Sequence, residues 1–210
     1  MAFSHIRVNW ALIKDKIVKS AELKGRPIAR KKAYDLFRRA RLKMLRKFNT
    51  HLITLEIEAG PSFQSKNISG TLDGYGNLFS YLGFPRGSKP TEAVREVLES
   101  QTIWVGNPTF NSKKQWLFKY LYPTRKDVLN ATNDAVPWGV NWIDIIEKGA
   151  PNLQFYLNLK RPNPQSVSNY GFQLPHEVND DLVFKKDPYV TKILENFRET
   201  MNNSSINSKD

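Results

Sequence analysis

Hydrophobic positions along this chain change period several times, and each change marks an expected element. Ile6, Trp10, Ile13, Ile17 and Ala21 recur at spacings of 4, 3, 4 and 4, the stripe of an amphipathic helix. Gly25 is its expected stop, and Pro27 suits the first turn of a second helix running to about Phe48. Ala33, Phe37, Ala40, Met44 and Phe48 form the apolar stripe of that second helix. The period then shortens. Ile53, Leu55 and Ile57 alternate with Thr54, Glu56 and Glu58. That alternation predicts a half-buried strand with the two glutamates on its solvent face, ended by Ala59-Gly60-Pro61.

Ser62 to Gly87 is rich in Ser, Asn and Gly, yet Leu78, Phe79, Tyr81, Leu82 and Phe84 form a dense apolar cluster within it. A long loop with that much apolar surface either packs onto the sheet or is covered by a neighbouring subunit. These five residues are therefore the candidate subunit interface. A short helix is expected from Pro90 to Ser100, with Val94, Val97 and Leu98 on one side. Ile103-Trp104-Val105 reads as a strand, followed by turn signals at Asn107-Pro108 and Asn111-Ser112. Trp116, Phe118, Tyr120 and Tyr122 alternate with Leu117, Lys119 and Leu121. This aromatic strand suits a core. Base stacking is the alternative that spacing alone does not separate. Trp138, Trp142, Ile145 and Ile146 mark a short helix ending near Gly149, and Leu153 to Leu159 reads as another strand. Lys160 to Lys186, rich in Pro, Asn and Gln, is expected to be an extended arm. Tyr189, Ile193, Phe197 and Met201 then align on a last amphipathic helix.

The expected fold is α+β: a mostly antiparallel sheet with two N-terminal helices, a long glycine-rich loop, a proline-rich arm and a C-terminal helix. The chain divides into a basic helical segment packed on the body (1–48), an α+β core (49–160), an extended arm (161–187), the last helix (188–202) and a flexible tail (203–210).

Charge changes this picture more than composition does. Residues 1–48 hold 15 Lys or Arg against 3 Asp or Glu, a balance of +12, while residues 49–210 hold 17 of each. The chain is a neutral body with a cationic arm. Arg30, Lys31, Arg38, Arg39, Arg41, Lys43, Arg46 and Lys47 cover much of the second helix outside its apolar stripe. A solvated helix face and a functional cationic surface both fit that pattern. The functional reading is contact with DNA or an acidic partner. The N-terminal residues lack the uninterrupted apolar core of a secretory signal, and no segment reaches 18 consecutive apolar residues, so no membrane association is expected. The chain has no cysteine, which excludes disulfides, thiolate chemistry and Cys-based zinc sites.

Signatures of catalysis are few. His5, His51 and His176 stand far apart in unrelated contexts, with no H-E-x-x-H pair to hold zinc. Gly70-Thr71-Leu72-Asp73-Gly74-Tyr75-Gly76 is glycine-rich but lacks the lysine and long helix of a phosphate cradle. No G-x-S-x-G elbow occurs. Glu56 with Glu58, Asp144 with Glu147, and Asp180 with Asp181 are the acidic pairs a metal nuclease would need, and none is spaced beyond what surface carboxylates show. No catalytic residue, metal or cofactor is expected. The two helices joined around Lys24-Gly25-Arg26-Pro27 suit phosphate contact more than base reading.

Several runs together resemble the virion proteins of tailed bacteriophages that act at the neck or tail. They are Phe48-Asn49-Thr50-His51, Thr54 to Pro61, Asn67-Ile68-Ser69-Gly70-Thr71-Leu72 and Gly76 to Phe84, followed by Trp138 to Tyr156 with Trp142, Ile146-Glu147 and Gly149. The resemblance covers about half of the chain and is to tail-completion, tail-terminator or head–tail connector proteins. It implies a structural protein without an active site, forming a ring-like homo-oligomer in the virion after assembly in the host cytoplasm. The implied partners are further copies of itself, neighbouring neck, portal or tail-tube proteins, and packaged DNA. The alternative from the residues alone is a sequence-independent nucleic-acid-binding protein that uses the basic helix.

Overall fold

The computed structural model describes residues 1–8, 21–61, 67–72, 77–106, 108–110, 116–132, 140–149 and 184–203. In chain order the elements are β1 (Ala2–Val8), α1 (Ala21–Asn49), α2 (Leu52–Glu58), α3 (Leu78–Tyr81), α4 (Pro90–Ser100), β2 (Ile103–Trp104), β3 (Thr109–Phe110), β4 (Trp116–Tyr122), α5 (Arg125–Ala131), α6 (Trp142–Lys148) and α7 (Tyr189–Asn203). The fold is α+β, with a small antiparallel sheet set against helices.

The aromatic strand β4 is the axis of that sheet. Strand β1 pairs with its full length, Ala2 opposite Tyr122 and Val8 opposite Trp116. On the other edge β2 and β3 pair with it in turn, Trp104 opposite Tyr120 and Phe110 opposite Trp116. Phe118 and Tyr120 are buried while Lys119 between them is exposed, as a pleated strand with one core face requires.

The N-terminal helix expected from the Ile6–Ala21 stripe is corrected by this pairing at its first position, Ile6, alone. Ile6 lies in β1, and residues 9–20 lie outside the described residues. The alternation of Ile6 and Val8 with His5 and Arg7 is the strand signal that the longer helical period hid. Backbone pairing with a distant strand decides between the two periods.

Nor does a second helix begin at Pro27. Helix α1 runs unbroken through Gly25 and Pro27. The proline removes one N–H from the helix ladder, a local cost, while the stretch beyond it is anchored by six buried residues. These are Ala29, Ala33, Phe37, Ala40, Met44 and Phe48, at spacings that keep them on one face. Phe37 meets Phe197 edge-on at 6.4 Å, and Phe48 stacks on Tyr189 at 5.9 Å. Residue number rises along α1 as it falls along α7, so the two helices are antiparallel. Tyr120 and Tyr122 close the layer from the sheet, with ring centroids 6.0 and 5.7 Å from Phe197.

Residues 52–58 form helix α2, not a strand. Ile53, Thr54, Glu56 and Ile57 are buried, a set at i, i+1, i+3 and i+4 that only a helix puts on one side. His51 starts it: its Nδ1 accepts from the Ile53 N–H at 3.3 Å. Glu56, expected on a solvent face, is fully buried.

Helices α4, α6 and α7 fall where the periodicity puts them. Helix α5 has no apolar period to announce it. It is opened by a capping box, in which the Thr124 side chain accepts from the Asp127 N–H and the Asp127 carboxylate accepts from the Thr124 N–H. The strand expected at 153–159 and the arm up to residue 183 lie outside the described residues. The end of that arm packs down: Phe184 stacks on Tyr81 at 5.6 Å, and the Lys185 and Asp187 N–H groups donate to the Thr71 and Ile146 carbonyls.

Candidate functional site

Helix α1 carries eleven Lys or Arg against two Asp or Glu. Its buried stripe fixes the opposite faces toward solvent. Arg30, Lys31, Arg38, Arg39, Lys43 and Arg46 are exposed, and Arg41 and Lys47 are half-buried. None of these eight forms an ion pair among the described residues. Arg41 is tied down, its Nη2 donating to the Glu99 carbonyl at 2.9 Å. The sequence-derived cationic residues are thus brought onto one helix, with no carboxylate paired to them among the described residues.

At the N-terminal end of the helix lies a groove of about 310 Å³ lined by Pro27, Arg30, Lys31, Tyr34 and Trp104. Tyr34 is 45% exposed and meets Trp104 edge-on at 5.9 Å. Trp104 is held from beneath: it stacks on Phe118 and tilts against Phe37, both at 5.6 Å. Gly106, at φ +79°, lets the chain turn away beside the indole. A Cβ there would sit 3.3 Å from Trp104 Nε1 and 3.7 Å from the Arg30 guanidinium. Arg26 lies 6.0 Å over the Trp116 ring, a second cation beside an aromatic on the same end of α1. Sequence reading identified Arg30 and Lys31 but not Tyr34 or Trp104 as site residues. They stand 70 positions apart, and only the packing of β2 against α1 joins them.

The expected subunit interface sits elsewhere. Leu78, Phe79, Leu82 and Phe84 are buried within the chain at 0–2% exposure, and only Tyr81 remains half-buried. Phe79 and Phe84 meet at 5.5 Å, and Phe84 abuts Trp142 edge-on at 5.8 Å. The cluster packs onto the chain's own helices, so these four side chains present no interface surface. Leu52 and Leu55 on α2, with Ile68 nearby in sequence, are among the apolar side chains left exposed.

What organises the glycine-rich region is a buried carboxylate. Glu56 Oε1 accepts from Asn67 Nδ2 at 2.8 Å and from the Leu78 N–H at 2.7 Å, and its Oε2 accepts from the Ser69 N–H at 2.9 Å. Asn67 Oδ1 in turn accepts from the Leu72 N–H at 2.9 Å. One side chain of α2 thereby holds residues 67–72 and the start of α3. Its acceptors are occupied by loop donors, an arrangement that suits a clamp.

The other acidic residues of these pairs that are described, Glu58, Asp144 and Glu147, are equally occupied. Asp144 and Glu147 converge on Arg125, Nη2 to Asp144 and Nε to Glu147 at 2.6 Å, while Glu147 also accepts from the Thr191 N–H and hydroxyl at 2.7 and 2.9 Å. This joins α5, α6 and α7. Burial alone would raise the Asp144 carboxyl, but the hydrogen bonds from Arg125 and Lys148 hold it below its ordinary value. Glu58 accepts from Arg95 and from the Thr91 hydroxyl. Asp180 and Asp181 lie outside the described residues, as does His176. His51 lies 4.8 Å from the Tyr189 ring with Nε2 3.9 Å from Asp187, and burial lowers its pKa against the pull of that carboxylate. Among the described residues no three His, Asp or Glu converge to hold a metal ion, and no helix is long and apolar enough to cross a membrane. Set against family models, curated proteins and solved structures, the chain matches none of them.

Proposed function

We propose that this chain is a structural virion protein of the neck or tail of a tailed phage, working as a ring-like oligomer with α1 as its contact to a negatively charged neighbour. The observation that carries the contact is the set of cations, without an ion pair among the described residues, on a helix whose backbone is fixed by a buried stripe. Such a surface is aimed outward, at packaged DNA or at the acidic face of a portal or tail-tube protein. The role in the virion rests on the resemblance of the Thr54–Pro61, Asn67–Leu72 and Gly76–Phe84 runs. Structural duty is consistent with the occupied acceptors of Glu56 and Glu147. Negative-stain imaging and sedimentation of the purified protein, alone and with portal or tail-tube protein, test the proposal. Rings, or assembly on contact with a partner, are expected. A chain that stays monomeric at high concentration and binds neither partner overturns it.

A second reading, a sequence-independent nucleic-acid-binding protein, is favoured by the aromatic groove beside the cations. It predicts affinity that falls steeply with salt and ignores sequence. Replacing Arg38, Arg39 and Arg41 by Gln is expected to lower the salt slope by about 2–3 on a double-logarithmic plot. An unchanged slope removes α1 as the phosphate contact.

A further inference from the structure

We infer that the groove between α1 and β2 receives an unpaired nucleobase of a single-stranded nucleic acid, stacked on Tyr34 with Trp104 as the adjoining wall. The inference rests on the second reading above and names its ligand class more narrowly. Three observations carry it. First, the groove's volume of about 310 Å³ stands at the lower end of small-ligand sites, which run from about 300 to 1,000 Å³. It suits one base and its sugar and is too small for a base pair. Second, its walls combine ring faces with cations. Tyr34 is exposed, Trp104 is wedged upright by Phe37 and Phe118, and Arg30 and Lys31 bear no ion pair among the described residues. Third, Arg26, Arg30, Tyr34 and Arg38 succeed one another at intervals of four residues on one face of α1. Each step is about 6 Å along the axis. An aromatic ring thus stands in line with cations one turn to either side, so a base in the groove has its flanking phosphates beside Arg30 and Arg38. Stacking on aromatic side chains together with a cationic track is the chemistry by which single strands are held without regard to sequence. A duplex keeps its base faces covered and can use only the cations.

Anisotropy titrations of a fluorescent oligothymidylate and of a duplex of equal length, at several salt concentrations, test this. Tyr34→Ala is expected to weaken single-strand binding about tenfold, to leave the salt slope unchanged and to leave duplex binding within about twofold. Tyr34→Phe keeps the ring and should bind like the parent chain. Trp104→Phe keeps most of the packing and should weaken the single strand only. Melting curves by circular dichroism show that each variant is folded. If Tyr34→Ala alters neither oligonucleotide, or weakens both alike, the groove is not a stacking site while α1 stands as the phosphate contact. If the folded parent chain binds neither oligonucleotide at low salt and binds polyglutamate instead, the nucleic-acid reading of α1 falls and the groove's ligand with it.

Discussion

Two charged regions of this molecule solve opposite problems. In the body, ionised groups meet partners within the chain: Glu56 is surrounded by loop N–H donors, Arg125 sits between two carboxylates, and Arg95 holds Glu58. On α1, cations stand turn after turn with no carboxylate to meet them among the described residues. The difference separates charges that build the fold from charges that the fold displays. Removing the first kind exposes a desolvated partner, whereas removing the second kind leaves only water behind.

Mutations that strike one region and spare the other sharpen this contrast. The largest effect is expected from Glu56→Ala, which strands three buried or half-buried donors and should cost roughly 3–5 kcal/mol of unfolding free energy. Urea denaturation measures it, and a cost below about 1 kcal/mol would mean that the loop does not depend on the clamp. A smaller effect is expected from pH. His51 is held below its ordinary pKa by burial, with Asp187 opposing, so the unfolded chain takes up a proton more readily than the folded one. Stability should therefore drop as pH falls through about 6.5 and level off once the folded imidazole also protonates. The urea midpoint between pH 7.5 and 5 reports this step, and His51→Asn, which keeps a capping acceptor, should flatten it. The smallest effect is expected from Arg38→Gln, Arg39→Gln and Lys43→Gln together. Their thermal unfolding should stay within about 0.5 kcal/mol per site of the parent chain. A marked loss would place these cations among the groups that build the fold.

Legibility from sequence followed the same division. The stripe from Ala33 to Phe48, the Val94-Val97-Leu98 side of α4, the aromatic alternation of β4 and the alignment on α7 were readable, because burial on one face leaves a local period. The exposed cations of α1 followed from that stripe by elimination. Elements decided by distant partners were not readable. Strand β1 exists because β4 offers it a full-length edge, and α2 mimics a strand in hydrophobicity because its buried face includes a glutamate and a threonine. Helix α5 was announced only by Thr124 and Asp127, a signature four residues long. The interface expected at Leu78–Phe84 turned inward for a related reason: apolar content shows that a segment will be covered, not by what. Tyr34 and Trp104 carried no motif, since their pairing is made by tertiary packing alone.

The unbroken course of α1 has a thermodynamic consequence. At 29 residues it is about 43 Å long. A flexible basic tail would lose about 1–2 kcal/mol of backbone conformational entropy for each residue ordered on a partner. Here that ordering is already complete in the free protein, so association restricts side-chain rotamers and little else. The same rigidity prevents the segment from wrapping a curved or irregular polyanion. Selectivity would then come from fixed spacing: a partner must offer negative charge at intervals that match those of the helix's cations.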